Sequence, residues 1–237
     1  MKRLMIAAAT VCAALPMQLA AQETIVVTGS RQDRSAGNAY FSPNNGPAAI
    51  GVTRKADYFV TPLYVSSDSR DRDTRLAELY AMFEATLDRA DAQGIAIVAG
   101  RYKLQPVTKD NMRQLPVVGG NRPDTNRVQV YARIPLRGDD ANVRKTADRI
   151  EAFVKDITAT GRSFIDVGTT GLAIDNPEQY RPDVVRHVAK EATSYASMFG
   201  NDYGVSIDGL DGELYWQQSS ETEVFMYIDH SFTVRPK

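Results

Sequence analysis

Between residues 56 and 104 the sequence reads as a strand, a long amphipathic helix, a glycine and a second strand. The helical part, DTRLAELYAMFEATLDRADAQG, places Leu76, Leu79, Tyr80, Phe83, Leu87 and Ala90 on one face. Arg75, Glu78, Asp88 and Asp91 cover the other. Gly94 is the expected stop, because glycine alone enters the left-handed C′ conformation without a Cβ penalty. The strand IAIVAGRYKL follows at once, and the unit recurs in looser form further along.

Residues 127–136 alternate cleanly, with Val128, Val130, Ala132, Ile134 and Leu136 on one face and Arg127, Gln129, Tyr131 and Arg133 on the other. That is the pattern of a half-buried antiparallel strand. A second helix, capped at Asp139 or Asp140, turns Val143, Ala147, Ile150, Val154 and Ile157 inward and is expected to stop at Gly161. Residues 163–174 form the next strand. Asn176-Pro177 opens a third helix, with Pro182 dividing an opening turn from the main body. Its expected stripe is Val185, Val188, Ala192, Tyr195 and Phe199, and Gly200 closes it. Strand candidates follow at 203–207, 214–218 and 223–234.

Three helices that end in glycine and run into strands predict an α+β fold. It would consist of split βαβ (ferredoxin-like) units, a mostly antiparallel sheet with three helices on one face, and a C-terminal β-hairpin. The strand at 56–66 is apolar on both faces, so it is expected to be covered on both sides. Residues 105–126, with Pro106, Pro116, Gly119, Gly120 and Pro123, read as a long connection that is either a functional loop or a mobile one, the latter with a strand extension at 115–118.

The N-terminus speaks to compartment. Lys2 and Arg3 precede an apolar run from 4 to 15, Pro16 breaks it, and Leu19-Ala20-Ala21 offers a cleavage site. Residues 1–21 are therefore expected to be a signal peptide, too short in its apolar run to span a bilayer. The only cysteine, Cys12, falls inside it, so the mature chain would hold no thiol for a disulfide, metal or nucleophile. Residues 22–48 read as a short strand (24–28) and a flexible polar insertion, and 49–237 as the folded domain. A formal net charge of -1 gives no electrostatic footprint for nucleic acid.

The strand Ile25-Val26-Val27-Thr28-Gly29 and the stretch Lys55-Ala56-Asp57-Tyr58-Phe59-Val60 carry a family resemblance, as does Gly94-Ile95 with the strand that leads to Pro106. The helix from Val188-Ala189-Lys190-Glu191-Ala192 to Phe199-Gly200 and the closing strands between Val224 and Val234 extend it. Together they resemble the SIMPL-domain family of bacterial periplasmic and outer-membrane-associated proteins, which includes immunogenic surface antigens. Lys55 stands where that family has proline, and the insertion after Gly29 is longer than the family's link. The resemblance implies a periplasmic α+β domain with no established catalytic mechanism, a tendency to form homo-oligomers, an envelope protein partner and a stress-related role.

The residues themselves point the same way. Neither histidine, His187 or His230, belongs to an HExxH or CxxC pattern, and both are expected to be structural or surface residues. Asp202, Asp208, Asp211 and Glu213 surround a glycine-rich turn. Asp208, Asp211 and Glu213 make a calcium candidate, and Asp208 with Asp211 a carboxylate pair for hydrolysis, set against plain hairpin-turn chemistry. No G-x-S-x-G elbow or P-loop is present. Tyr58, Tyr64, Tyr131, Tyr215 and Trp216 would line a cleft if the chain were a binding module for a small ligand or cell-wall fragment. Residues 23–29 are also similar to the TonB box of outer-membrane receptors, a peptide that pairs by strand addition. The reading is of a non-enzymatic periplasmic protein without cofactor, self-associating through sheet edges.

Overall fold

The computed structural model describes residues 24–27, 50–100, 103–120, 122, 124–138 and 142–237. The expected signal peptide with Cys12, the insertion at 28–49 and the caps Asp139 and Asp140 lie outside the described residues.

The chain begins with β1 (Thr24–Val27), β2 (Gly51–Lys55), β3 (Tyr58–Ser67), α1 (Arg72–Ala92) and β4 (Ala96–Ala99). Then come two short strands, β5 (Gln105–Pro106) and β6 (Val118–Gly119), separated by a 3-10 turn at Met112–Gln114. The middle of the chain is β7 (Asn126–Pro135), α2 (Val143–Lys155), β8 (Ser163–Val167) and β9 (Gly171–Asp175). A 3-10 turn at Pro177–Tyr180 leads into α3 (Arg181–Ser197). The chain closes with β10 (Tyr203–Asp208), β11 (Leu214–Gln218), β12 (Glu223–Ile228) and β13 (Ser231–Pro236).

The fold is α+β. The main sheet runs β1-β9-β3-β7-β4-β5, with β8 also on β3 and β6 on β7, and its neighbouring strands are antiparallel. The β3–α1–β4 unit encloses β7, and the β7–α2–β8 unit encloses β3, so the two βαβ units interlock. Two smaller sheets complete the structure, β11-β12-β2 and the ribbon β10-β13.

α1 starts on Asp71, whose carboxylate accepts from the Thr74 amide at 2.8 Å. It ends as expected: Gly94 has φ +64°, its amide donates to Asp91, and the Ile95 amide donates to Ala90 at 2.9 Å. That pair of bonds satisfies the last carbonyls and folds buried Ile95 back on Ala90. The buried stripe is turned relative to expectation. Met82 and Thr86 join Leu79, Phe83, Leu87 and Ala90, while Leu76 and Tyr80 move to the margin. Arg75, expected on the solvent side, is buried because its guanidinium finds three acceptors, Asn126 Oδ1, the Ser69 carbonyl and the Arg70 carbonyl.

α2 differs at both ends. It starts on Asn142, whose side chain accepts from the Lys145 amide at 3.0 Å. It ends at Lys155, well before Gly161, and Phe153 shares the buried face with Ile150. Gly161 serves another purpose: it has φ +58°, and a Cβ there would collide with the Glu78 carboxylate.

The predicted strand 163–174 is two strands, both paired to β3. The break lies opposite Pro62. The Pro62 carbonyl accepts from the Gly168 amide at 2.8 Å, so the proline's missing N–H is on the same side, and the ladder cannot continue there. The side chains of Thr61 and Thr170 share a hydrogen bond of 2.8 Å across the gap. The predicted strand 223–234 is likewise broken, at Asp229 and His230, into β12 and β13. The expected C-terminal hairpin is thus β11–β12 extended by β2, and β13 leaves it to pair with β10.

The odd-numbered side chains of β3 face the helices. Leu63 and Val65 join α1, α2 and β7 in the larger core. Phe59 joins Leu172, Ile174, Val184, Val188 and the inner face of β11–β12 in a second core. α3 shares that second core, on the same face of the main sheet as α1 and α2, and also packs on β2, β12 and the β10–β13 ribbon. Its buried residues are Val184, Val188, Ala192 and Ala196, a four-residue row of small and branched side chains. Tyr195 and Phe199, expected inside, are exposed. The other face of β3 is covered in part, as Val60 packs with Val98, Leu104 and Ala173.

Candidate functional site

Strand alternation assembles a polar and aromatic surface on the main sheet's helix-free face. Tyr58 and Tyr64 come from β3, and Gln129, Tyr131, Arg127 and Arg133 from β7. Arg127 lies over the Tyr64 ring at 5.1 Å from its centroid and Arg133 over Tyr58 at 4.5 Å. Gln129 Nε2 donates to the Tyr131 hydroxyl at 3.0 Å, and the Tyr58 hydroxyl donates to Asp175 Oδ2 at 3.0 Å. Burial raises the phenol pKa of Tyr131, and burial followed by the bond to Asp175 raises that of Tyr58.

The expected aromatic cleft is only half assembled. Tyr58, Tyr64 and Tyr131 share this face, whereas Tyr215 and Trp216 belong to the three-stranded sheet. As strand neighbours those two point to opposite faces. Trp216 packs at the second core, and Tyr215 stacks on Tyr227 at 5.5 Å in a row continued by Phe225.

At one end of the helix-free face the sheet sinks into a bowl of about 420 Å³. The register explains it. Ser66 of β3 lies between Arg127 of β7 and Phe164 of β8, so one short side chain separates two long ones. The next row is Gln129, Tyr64 and Asp166. The turn after β6 supplies a wall with Gly120, Arg122 and Thr125. The Gly120 amide donates to the Thr125 carbonyl at 2.8 Å, and Thr125 Oγ1 is buried without a partner among the described residues. Asp68, also at the rim, is held below the usual carboxylate range chiefly by its hydrogen bond from Arg162. None of the bowl's residues stood out in the sequence as a group, because Ser66, Arg127 and Phe164 meet only through strand register.

Beside the bowl, Glu78 anchors the β3–α1 connection. Its Oε2 accepts from Ser69 Oγ at 2.6 Å, Ser67 Oγ at 2.8 Å and the Arg162 amide at 3.2 Å. The two serine bonds, Ser69 first, lower its pKa. At the opposite end, Asp57 Oδ2 accepts from the Asp175 amide at 2.7 Å, yet burial leaves its pKa raised.

The calcium candidates Asp208, Asp211 and Glu213 are exposed on their turn. Among the described residues no three His, Cys, Asp or Glu side chains stand close enough to hold a metal ion. The turn itself is built on Gly209, with φ +91°, where a Cβ would lie 2.7 Å from the Asp229 carbonyl. His187 is exposed on α3, and His230 sits at the corner between β12 and β13 with Nδ1 2.7 Å from the Ile228 carbonyl.

A second surface lies at the end of α3. Tyr195, Met198, Phe199 and Tyr203 are 46%, 74%, 64% and 37% exposed. Tyr195 stacks on Phe232 at 5.5 Å, and Phe199 leans on Tyr203 at 5.9 Å. The ribbon beside them contains only β10 and β13, so each has an unpaired outer edge among the described residues.

No helix of the described residues is long and apolar enough to cross a membrane. Compared with known protein families, curated proteins and solved structures, the chain matches none.

Proposed function

We propose that the chain is a non-enzymatic, SIMPL-like protein of the periplasm that works by contact, self-associating in a structural or stress-related role in the cell envelope. The observation that carries this reading is the aromatic rim at the end of α3. Of the six exposed large hydrophobic side chains among the described residues, four lie between Tyr195 and Tyr203. Aromatic and methionine side chains concentrated in one patch are the composition of a protein contact. A second copy suits it because the adjoining ribbon offers unpaired edges, and because Lys190, Glu191, Asp202 and Arg235 put both charge signs around the rim. An isologous dimer needs that self-complementarity.

The test is light scattering on the protein purified from the periplasmic fraction over a range of concentrations. The expected result is a mass that rises with concentration and returns to the monomer value in Phe199→Glu. A strict monomer at high concentration overturns the reading.

A second reading has one observation in its favour. Residues 24–27 pair with β9 by strand addition, Thr24 opposite Asp175 and Val27 opposite Leu172. A TonB-type periplasmic domain would compete with β9 for that strand. Pull-down by such a domain should be lost on deletion of residues 23–29; binding unchanged by the deletion ends this reading.

A further inference from the structure

The geometry points to the bowl on the helix-free face as a binding site for an acidic monosaccharide, with the carboxylate held by Arg127 and Arg122 and the ring laid on Phe164. Three features carry this assignment. The first is shape. Arg127, Ser66 and Phe164 form one row across β7, β3 and β8, and neighbouring strands are ~4.8 Å apart, so the backbone positions that carry the guanidinium and the ring are roughly 10 Å apart with a short side chain between them. A pyranose bearing a carboxylate spans that gap, and a bowl of about 420 Å³ is of the size that holds a small ligand.

The second feature is charge. Two guanidinium groups, Arg122 and Arg127, line the bowl; Asp68 at the rim is bonded by Arg162 at 2.7 Å, and the Arg122 charge adds a weaker pull on it. Arg127 is held over Tyr64, which fixes the direction of its fork without occupying its donors. A guanidinium so placed recognises a carboxylate with two parallel hydrogen bonds.

The third feature is the supply of acceptors and hydroxyls for a polyol. Asp166 is exposed in the row next to Phe164 and accepts from sugar hydroxyls, and the Ser66 hydroxyl lies at the floor. The unpartnered Thr125 hydroxyl belongs to the wall. A bare anion would use the arginines alone, and a neutral sugar only the ring and the acceptors. The combination selects a ligand that has both.

Calorimetric titration of the purified full chain with D-glucuronate, D-glucose, acetate and glycylglycine tests the assignment. Glucuronate is expected to saturate at one site, with glucose and acetate each about tenfold weaker or worse. Arg127→Gln, checked for an unchanged melting temperature, should weaken glucuronate about tenfold and leave glucose unaltered. Asp166→Asn should weaken both sugars and leave acetate unaltered. Acetate binding as well as glucuronate would mean an adventitious anion only. Glycylglycine binding as well would reassign the bowl to peptide termini. Equal affinity for glucose, or no saturable binding at all, would equally overturn the assignment. These residues lie on the main sheet and not on the α3 rim, so the result is independent of self-association.

Discussion

Replacing Arg75 with alanine should be one of the most damaging polar substitutions in the protein. The guanidinium donates to Asn126 Oδ1 at 2.5 Å, to the Ser69 carbonyl at 2.7 Å and to the Arg70 carbonyl at 3.1 Å. The bond to Ser69 is buried and the other two are part-buried. A hydrogen bond from a charged donor contributes about 1.5–3 kcal/mol, and a buried carbonyl left without a donor costs about 1–3 kcal/mol. Counting the buried bond in full and discounting the others for solvent, the loss should be about 3 kcal/mol, or roughly 6–12 °C in Tm for a domain of this size. Urea unfolding followed by circular dichroism measures it. Arg75→Lys, which keeps charge but not the planar fork, should lose about half as much. A double-mutant cycle with Asn126→Ala should show a coupling of about 1 kcal/mol. A loss below about 1 kcal/mol for Arg75→Ala, or no coupling, would refute the view that this side chain ties the β3–α1 connection to the start of β7.

Gly161→Ala should cost about 2–4 kcal/mol, since it adds left-handed strain to a collision with Glu78, and the cost should shrink in a Glu78→Ala background where the carboxylate is gone. Phe153→Ala should cost about 3–5 kcal/mol by chemical denaturation, because the ring is fully buried between α2 and the sheet. Asp57 and Glu78 should give opposite pH dependence. Asp57 has a raised folded pKa, so its contribution is greatest at low pH and falls as pH rises from the ordinary carboxylate value through the folded one; Asp57→Asn keeps the acceptor and should remove that fall. Glu78 has a lowered folded pKa, so its contribution is present above the ordinary value and lost as pH falls through the folded one; Glu78→Gln should flatten the acid limb of a stability–pH curve.

Local signals were legible where the chain obeys local rules. The alternation in β7 and the glycine stop of α1 are visible in a dozen residues, and the structure has both. The misreadings share a non-local cause. The break between β8 and β9 is dictated by Pro62 on a different strand, more than a hundred residues earlier in the chain. Gly161 looks like a helix stop, yet it is shaped by the Glu78 carboxylate. On α3 Val188 and Ala192 are inside as their spacing says, but Tyr195 and Phe199 made the more conspicuous end of the stripe, and the smaller Val184 and Ala196 took the inside in their place. The bowl requires knowing that Ser66 pairs with both Arg127 and Phe164, which no window of sequence contains.

The proline in β3 also divides the molecule mechanically. On one side of it, Leu63 and Val65 belong with α1, α2 and β8; on the other, Phe59 belongs with β9, α3 and the smaller sheets. Only β7 runs unbroken alongside the whole of β3, so these two strands carry the connection between the two cores. Amide exchange should therefore resolve two cooperative units, with Gly168 at their boundary and β7 protected to the level of the more stable one.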